Sequence, residues 1–591
     1  MTITYGKLSS NMKLGEVFFD KMDSVLKDLR ADFDVASSGF SKRKVNELKQ
    51  IHVDTTGKVS TLSNLATGSN GIISGLRGTG KSHLMLLSRE KINNRKQSLC
   101  IYIDLKNHLN IGGNIVVEER FYVWALLKQL KLQMAYLIQD TYEEDSKGFF
   151  QAVISYFSKD KQKEIEKKVE TILNELNQLI LLGEQEVQNL AKTKSLNVQQ
   201  EKSVLNNSSL KAEGSATSAK VEAKAEHQNN IKNSLATTEE SSSTILLDID
   251  VLKRTLVSLV ELLGLKSIVF FYDEWSLLNR TDQDILANLI RSLSTAPIYH
   301  WIAIIPYKSS LGVLETTSDM VHKVDLDLQF IFEENNSVCT NYFKEFMNKR
   351  LDLEFGNSSF TIDKIVRPQF FELIVKASMG NTRDFGLMLY KAWELFKQDY
   401  LVTKNKRIIA KKHIVKAIKS LADEKFANLE NRGSKYSEKL WSEIIKFVGL
   451  KKHTHFCIEQ NSTNLSLLKE DEYTDLLYYR LIHLRKKDVP AKDGGEWRLS
   501  TYSVDVSAVF SRIFETNSER TKIKLVTDME IVHDQIRRYT FDLASIINEF
   551  RMEQGKQIKC LSCGKIITGD MKYAWDNKVC IFCSQPLPMS R

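Results

Sequence analysis

Eight consecutive residues, Gly75-Leu76-Arg77-Gly78-Thr79-Gly80-Lys81-Ser82, constrain this chain more than any other stretch. They follow a short apolar run, Gly71-Ile72-Ile73-Ser74, and lead into a helix-forming segment from His83 to Glu90. A strand that turns through glycines into a helix presents backbone N–H groups and the positive helix end to an anion. The spacing G-x-x-x-x-G-K-S adds a lysine that reaches the outer phosphates and a hydroxyl that holds a divalent cation. The loop predicts a phosphate-binding site made of Gly75, Gly78, Thr79, Gly80, Lys81 and Ser82.

Other apolar runs supply the sheet such a loop requires. Leu99 to Leu105, Ser267 to Tyr272, Ile298 to Ile305 and Val321 to Leu328 are strand-sized, nearly continuous in apolar residues, and mostly separated by helical patterns. Runs of this kind are buried on both faces, which predicts a parallel sheet between layers of helix. The third strand ends in Asp273-Glu274. Asp273 is placed to hold Mg²⁺ through water, and Glu274 to accept a proton from an attacking water.

In the order GLRGTGKS, Tyr272-Asp273-Glu274-Trp275, then Gly380-Asn381-Thr382-Arg383-Asp384-Phe385, the chain resembles AAA+ ATPases. The likeness is greatest to the origin-recognition/initiator-like branch and its prokaryotic defence-associated relatives, and it covers about residues 60–425 apart from an insertion at about 140–245. The resemblance implies an α/β P-loop NTPase sheet of AAA+ type with a helical lid, ATP and Mg²⁺ as ligands, and a lid arginine on the γ-phosphate, Arg383 by position. Lys81, Glu274 and Arg383 are then the catalytic set. Two departures stand out. The fourth strand runs into Pro306-Tyr307-Lys308-Ser309-Ser310, leaving Lys308 or Ser309 as the polar first sensor. Before the fifth strand, His322 and Lys323 stand where the family places an arginine finger, with Arg291 an alternative. Such an arginine is worth about 10³–10⁵ in rate, so hydrolysis is expected to be slow without a partner.

The second strong signal is at the other end. Cys560-Leu-Ser-Cys563 and Cys580-Ile-Phe-Cys583, sixteen residues apart, match the spacing of a four-thiolate Zn²⁺ site, with an iron–sulfur cluster as the rival. Four soft ligands leave no open position, so the zinc is structural. Lys556, Lys559, Lys565 and Lys572 surround it and favour an anionic partner. The remaining cysteines, Cys100, Cys339 and Cys457, read as buried thiols. A secreted disulfide scaffold spreads its cysteines evenly, so this pattern and the absence of an apolar leader predict a cytoplasmic protein.

The rest of the 591 residues suggests further units. The expected plan is an N-terminal helical segment (1–60), the ATPase core (61–335), a helical lid (336–425), a winged-helix region (426–520), and a helix followed by a zinc ribbon (521–591). Helices Phe121 to Gln139 and Asp248 to Leu263 are expected to cover the sheet. Within the insertion, Ile165, Val169, Ile172, Leu176 and Leu179 repeat three and four apart, as in a coiled-coil arm. Residues 192–243 carry hardly a large apolar side chain and read as weakly ordered. The formal charge of +9 is modest, yet Lys404 to Lys439 holds eleven basic residues against four acids. Arg480, Arg485, Lys486, Lys487, Lys492 and Arg498 surround an expected hairpin at Asp493-Gly494-Gly495. No run approaches the roughly 18 apolar residues of a membrane helix. Two functions follow. In one, nucleotide state controls engagement of DNA through 404–498 and the zinc ribbon. In the other, a nucleotide-gated switch assembles with a protein partner, or with itself, through the 160–190 arm, as in bacterial anti-phage ATPases.

Overall fold

The computed structural model describes residues 16–29, 42–54, 56–105, 128, 158–171, 174, 177–178, 180–181, 249–327, 329–356, 360–403, 409–492 and 496–588. Helices α1 (Glu16–Asp28), α2 (Lys42–Ile51) and α3 (Lys58–Leu65) precede β1 (Gly71–Ser74). The glycine loop joins β1 to α4 (Lys81–Asn94), and β2 (Ser98–Asp104) follows. After the insertion come α5 (Ile249–Leu263), β3 (Ser267–Asp273), α6 (Arg280–Leu293), β4 (Ile298–Ile304) and β5 (His322–Asp325). The five strands form one parallel sheet in the order β2-β3-β4-β1-β5.

Alternation along each strand feeds two apolar layers, as the pleat requires. Ile268, Phe270 and Tyr272 of β3 pack on one face with Leu256, Leu259 and Leu263 of α5 and Leu286 and Ile290 of α6. Val269 and Phe271 pack on the other with Leu84, Met85 and Leu87 of α4 and Leu62 of α3. Because both faces are covered, β1 to β4 read as continuous apolar runs, while β5, at the edge, buries only Val324. β1, where the loop starts, is central, between β4 and β5. The glycine loop follows β1 and the paired acids stand at the end of β3, in the same parallel sheet, as the motifs predict.

A helical unit follows: α7 (Asn336–Phe355), α8 (Pro368–Ala377), α9 (Thr382–Thr403) and α10 (Lys411–Arg432). Phe343, Phe371, Phe385 and Trp393 fill its core, and α1 joins it through Met22, Val25 and Leu26. The N-terminal helix thus packs into the lid rather than standing alone. The expected boundary at 425 falls inside α10, which continues unbroken to Arg432.

Next come α11 (Ser437–Lys451), β6 (His455–Glu459), α12 (Ser462–Leu467), α13 (Asp471–Tyr478), β7 (Ile482–Pro490) and β8 (Arg498–Val504). β7 and β8 are the two arms of the expected hairpin, and with β6 they form an antiparallel sheet in the order β6-β8-β7. Helices α14 (Phe510–Phe514), α15 (Met529–Asp534) and α16 (Leu543–Glu553) lead to a small terminal unit of β9 (Gln557–Lys559), β10 (Ile566–Thr568) and α17 (Lys572–Asn577).

The arm departs from expectation where it is described. Ile165 and Val169 are buried and belong to the same apolar cluster as α5 and the sheet, so this part of the repeat is used within the chain. An apolar stripe packs on the nearest apolar surface, and periodicity alone does not say whose surface that is. Ile172, Leu176, Leu179, the 121–139 helix, residues 192–243, residues 404–408 and Asp493-Gly494-Gly495 lie outside the described residues. Among the described residues, no helix is long and apolar enough to cross a membrane.

Candidate nucleotide-binding site and cysteine centre

The glycine loop, the ends of β3 and β4, and the first turn of α9 enclose a cavity of about 490 Å³. Gly78, Thr79, Gly80, Lys81, Ser82, Asp273, Glu274 and Arg383 all line it, so the sequence motifs converge on one place. Gly75 lies behind them, and its carbonyl accepts from Lys81 Nζ at 2.7 Å, as does the Leu76 carbonyl at 3.0 Å. Burial pushes the Lys81 ammonium down from its ordinary range, while Asp327, Asp273 and Glu274 pull it up. Gly78 and Gly80 have φ of +87° and +90°, a left-handed backbone that glycine adopts without cost. A Cβ at Gly78 would lie 2.4 Å from the Arg383 Cβ, so only glycine lets the lid come this close.

At the end of β3 the two acids have different surroundings. Asp273 is buried, and its Oδ2 accepts from the Tyr102 hydroxyl at 2.6 Å and its Oδ1 from the Glu274 N–H at 2.8 Å. Glu274 stands at φ +59°, a strained conformation for a residue with a side chain, and one that recurs at working sites. Burial, then the Asp273 charge, raises its pKa above the ordinary glutamate value, which suits a group that must take a proton.

The lid meets the loop through hydrogen bonds as well as through Arg383. Asn381 Nδ2 donates to the Arg77 carbonyl at 2.9 Å, and Thr382 Oγ1 donates to the Gly78 carbonyl at 2.6 Å. Asn381 Oδ1 accepts from the N–H groups of Arg383 and Asp384, which makes it the cap of α9. Gly380 (φ +81°) is forced, since a Cβ there would lie 1.9 Å from the Phe330 carbonyl oxygen.

Two expectations are corrected. Neither Lys308 nor Ser309 lines the cavity: Lys308 Nζ bonds Asp475 at 2.9 Å, and Ser309 Oγ accepts from the Ile305 N–H. Arg291, the alternative finger, lies on α6 with its guanidinium on the Val313 carbonyl at 3.1 Å. Most importantly, the basic stretch is not one exposed surface. Lys425 is buried between Asp384 (2.8 Å) and Asp505 (2.9 Å), and Arg480 is bonded to Asp384. Arg485 is buried against Glu333 and also donates to the Met379 carbonyl at 3.1 Å. Lys412, Lys419 and Lys439 pair with Asp399, Glu515 and Glu553. Charge counts along a sequence do not distinguish a solvated face from a buried network.

Several participants had no sequence signal. Tyr102 sits mid-strand and reads as core. Residues 51–54, Thr56, Lys58, Arg350 on α7 and Arg432 on α10 complete the cavity wall from distant segments. Asp327 accepts from the Leu76 N–H at 2.6 Å, and burial raises its carboxyl to about 6. His52 and His83 pack ring nitrogen to ring nitrogen at 3.0 Å, and burial lowers His83 to about 3.

The four cysteines of the terminal unit gather, with all four sulfurs within 4.8 Å of one another. Cys560 Sγ is 3.5 Å from Cys583 Sγ, and Cys563 Sγ is 3.6 Å from Cys580 Sγ. Zn–S bonds of about 2.3 Å in a tetrahedron separate sulfurs by about 3.8 Å, so the cluster fits that ion. The two knuckles repeat one geometry. Cys560 N–H donates to the Lys565 carbonyl and Gly564 N–H to the Cys560 carbonyl; Cys580 N–H donates to the Gln585 carbonyl and Ser584 N–H to the Cys580 carbonyl. Gly564 (φ +70°) and Ser584 (φ +56°) take the same left-handed turn.

No family model matches the sequence, and no curated protein matches it. Among solved structures, the chain is similar to the ORC1 protein of Aeropyrum pernix in complex with DNA, at 10% identity over 77% of this chain and 91% of that one, with a TM-score of 0.32. It is also similar to Cdc6p of Pyrobaculum aerophilum, at 9% identity over 90% and 98% of the two chains, with a TM-score of 0.28. A RuvB variant from Thermotoga maritima matches at 16% identity over 45% and 75%, with a TM-score of 0.21.

Proposed function

We propose that the chain binds ATP and hydrolyses it to ADP and phosphate, with nucleotide state controlling how the C-terminal units engage DNA. One observation carries this reading. A glycine loop with its lysine, an aspartate–glutamate pair and a lid arginine, drawn from three parts of the chain, line a single cavity. The loop N–H groups and Lys81 would hold the phosphates, and Ser82 and Asp273 would hold Mg²⁺, which neutralises charge on the transferring phosphoryl group. Glu274, with its raised pKa, takes the proton of the attacking water. Arg383 reaches the cavity from α9, whose cap is bonded to the loop, so a shift of the loop carries the lid with it.

The test is the steady-state ATPase rate of the purified chain with and without double-stranded DNA, at low and moderate salt. Stimulation that fades with salt supports phosphate contacts by the exposed lysines. A slow rate indifferent to DNA favours the second reading, a nucleotide-gated switch that works with a protein effector, as in bacterial anti-phage defence. That second reading draws on the burial of Lys425 and Arg485 and the pairing of Arg480, which removes three cations from any DNA surface.

A further inference from the structure

The terminal cysteine unit has a complete small core of Ile558, Ile567, Ala574 and Leu587 around Cys560 and Cys580. Four large apolar side chains are left outside it. Leu561 is 83% exposed, Tyr573 73%, Phe582 54% and Ile581 49%. Leu561 lies between the two cysteines of the first knuckle, and Ile581 and Phe582 lie between those of the second. The sulfur separations bring the two knuckles against one centre, so these three side chains belong to one end of the unit. The N–H···O bonds that close each knuckle make both knuckles rigid.

Single exposed apolar residues are ordinary, but a cluster on a rigid end within so small a unit marks an interaction surface. Exposed cations flank the first knuckle: Lys559 precedes Cys560, and Lys565 takes the Cys560 N–H on its carbonyl, while Lys556 and Lys572 are exposed elsewhere in the unit. A core of large apolar side chains within a charged rim is the anatomy of a protein interface. Nucleic acid would use the rim and the aromatic faces, but it would gain little from Leu561 and Ile581, whose worth comes from removing aliphatic surface from water.

We propose that the knuckle end formed by Leu561, Ile581 and Phe582 docks a protein segment that carries large apolar side chains flanked by acidic residues. This goes beyond the nucleotide reading and does not depend on it. The four side chains lie outside the unit's core, so changing them leaves the fold intact.

The experiment pans a displayed library of random twelve-residue peptides on the immobilised full-length, zinc-loaded chain, without nucleotide, and counter-selects on the Leu561→Ser/Phe582→Ser variant. Zinc content and melting temperature equal to the parent confirm that the variant is folded. Enriched peptides are expected to combine Asp or Glu with Leu, Ile, Phe or Trp. Fluorescence anisotropy on a synthesised peptide is expected to show binding weakened about ten-fold or more by the double substitution. Ile581→Ser alone is expected to weaken it less, and oligo(dT) is expected not to compete. Enrichment equal on parent and variant, peptides without acidic residues, or displacement by oligo(dT) overturns the proposal, the last identifying a nucleic-acid surface instead.

Discussion

Asp384, the residue after Arg383, lies against the Arg480 guanidinium, with Arg480 Nε 2.9 Å from Asp384 Oδ1 and 3.1 Å from Oδ2. Asp384 is fully buried in the first turn of α9, and Arg480 stands between α13 and β7. Lys425 joins Asp384 to Asp505, and Asp505 accepts from His483 at 2.9 Å. On the other side of the Gly380 turn, Arg485 of β7 bonds Glu333 and the Met379 carbonyl. The segment that carries Arg383 into the cavity is thus gripped by the C-terminal sheet.

Removing one partner of a buried ion pair leaves the other charge stranded. Arg480→Met is expected to cost about 3 kcal/mol, the low end for such a loss because Lys425 still faces Asp384. Urea unfolding measures this, and an unchanged midpoint would exclude a structural role for the pair.

Lys81→Ala is expected to abolish nucleotide binding, whereas Glu274→Gln keeps binding and lowers turnover by about 10²-fold or more. Since only ionised Glu274 can accept a proton, parental turnover should rise with pH through its raised pKa. Full hydrolysis by Glu274→Gln would remove that residue as the base.

Gly78→Ala puts a methyl group against Arg383 and forces a left-handed alanine. Titration with a fluorescent ATP analogue should show affinity reduced about ten-fold or more, from about 1–2 kcal/mol of backbone strain plus displacement of the lid. Gly569, with open space around it, serves as the control: Gly569→Ala should change nothing.

Carboxylates in this molecule respond to pH in opposite senses. Burial alone would raise Glu333, but Arg485 and His455 hold it at about 2, so its contribution is present above pH 4.5 and is lost as pH falls toward 2. Asp327 is the reverse. Its folded value, about 6, exceeds its ordinary 3.8, so its contribution is full below pH 4 and is lost as pH rises through 6. Asp327→Asn keeps an acceptor for the Leu76 N–H and removes the charge. Its melting temperature should exceed the parent's at pH 8, by of order 1–2 kcal/mol in stability, and match it at pH 4. A variant less stable at pH 8 would contradict the assignment.

Metal analysis should find one zinc per chain, lost in Cys560→Ser/Cys563→Ser. Loss of the metal should make the segment after Gly555 sensitive to protease, since its core is built around two of the cysteines. Iron in place of zinc would overturn the ligand assignment.

Local chemistry is written along the chain. A phosphate loop is read from eight adjacent residues, because its glycines and lysine act through the backbone that joins them. The acids at the end of β3 and the paired cysteines are equally local, and β1 to β4 were legible because burial on both faces makes each a continuous apolar run, whereas the edge strand β5 buries only Val324. Which charges end up buried depends on the folded packing. Arg480 and Arg485 look like hairpin cations along the chain, yet both are bound to carboxylates about 100 or more residues away. The same holds for Asn381 and Thr382, whose partners Arg77 and Gly78 are 304 residues distant in each case. Desolvation and hydrogen bonding depend on what the fold brings alongside a group, and no spacing rule along the chain encodes that neighbour.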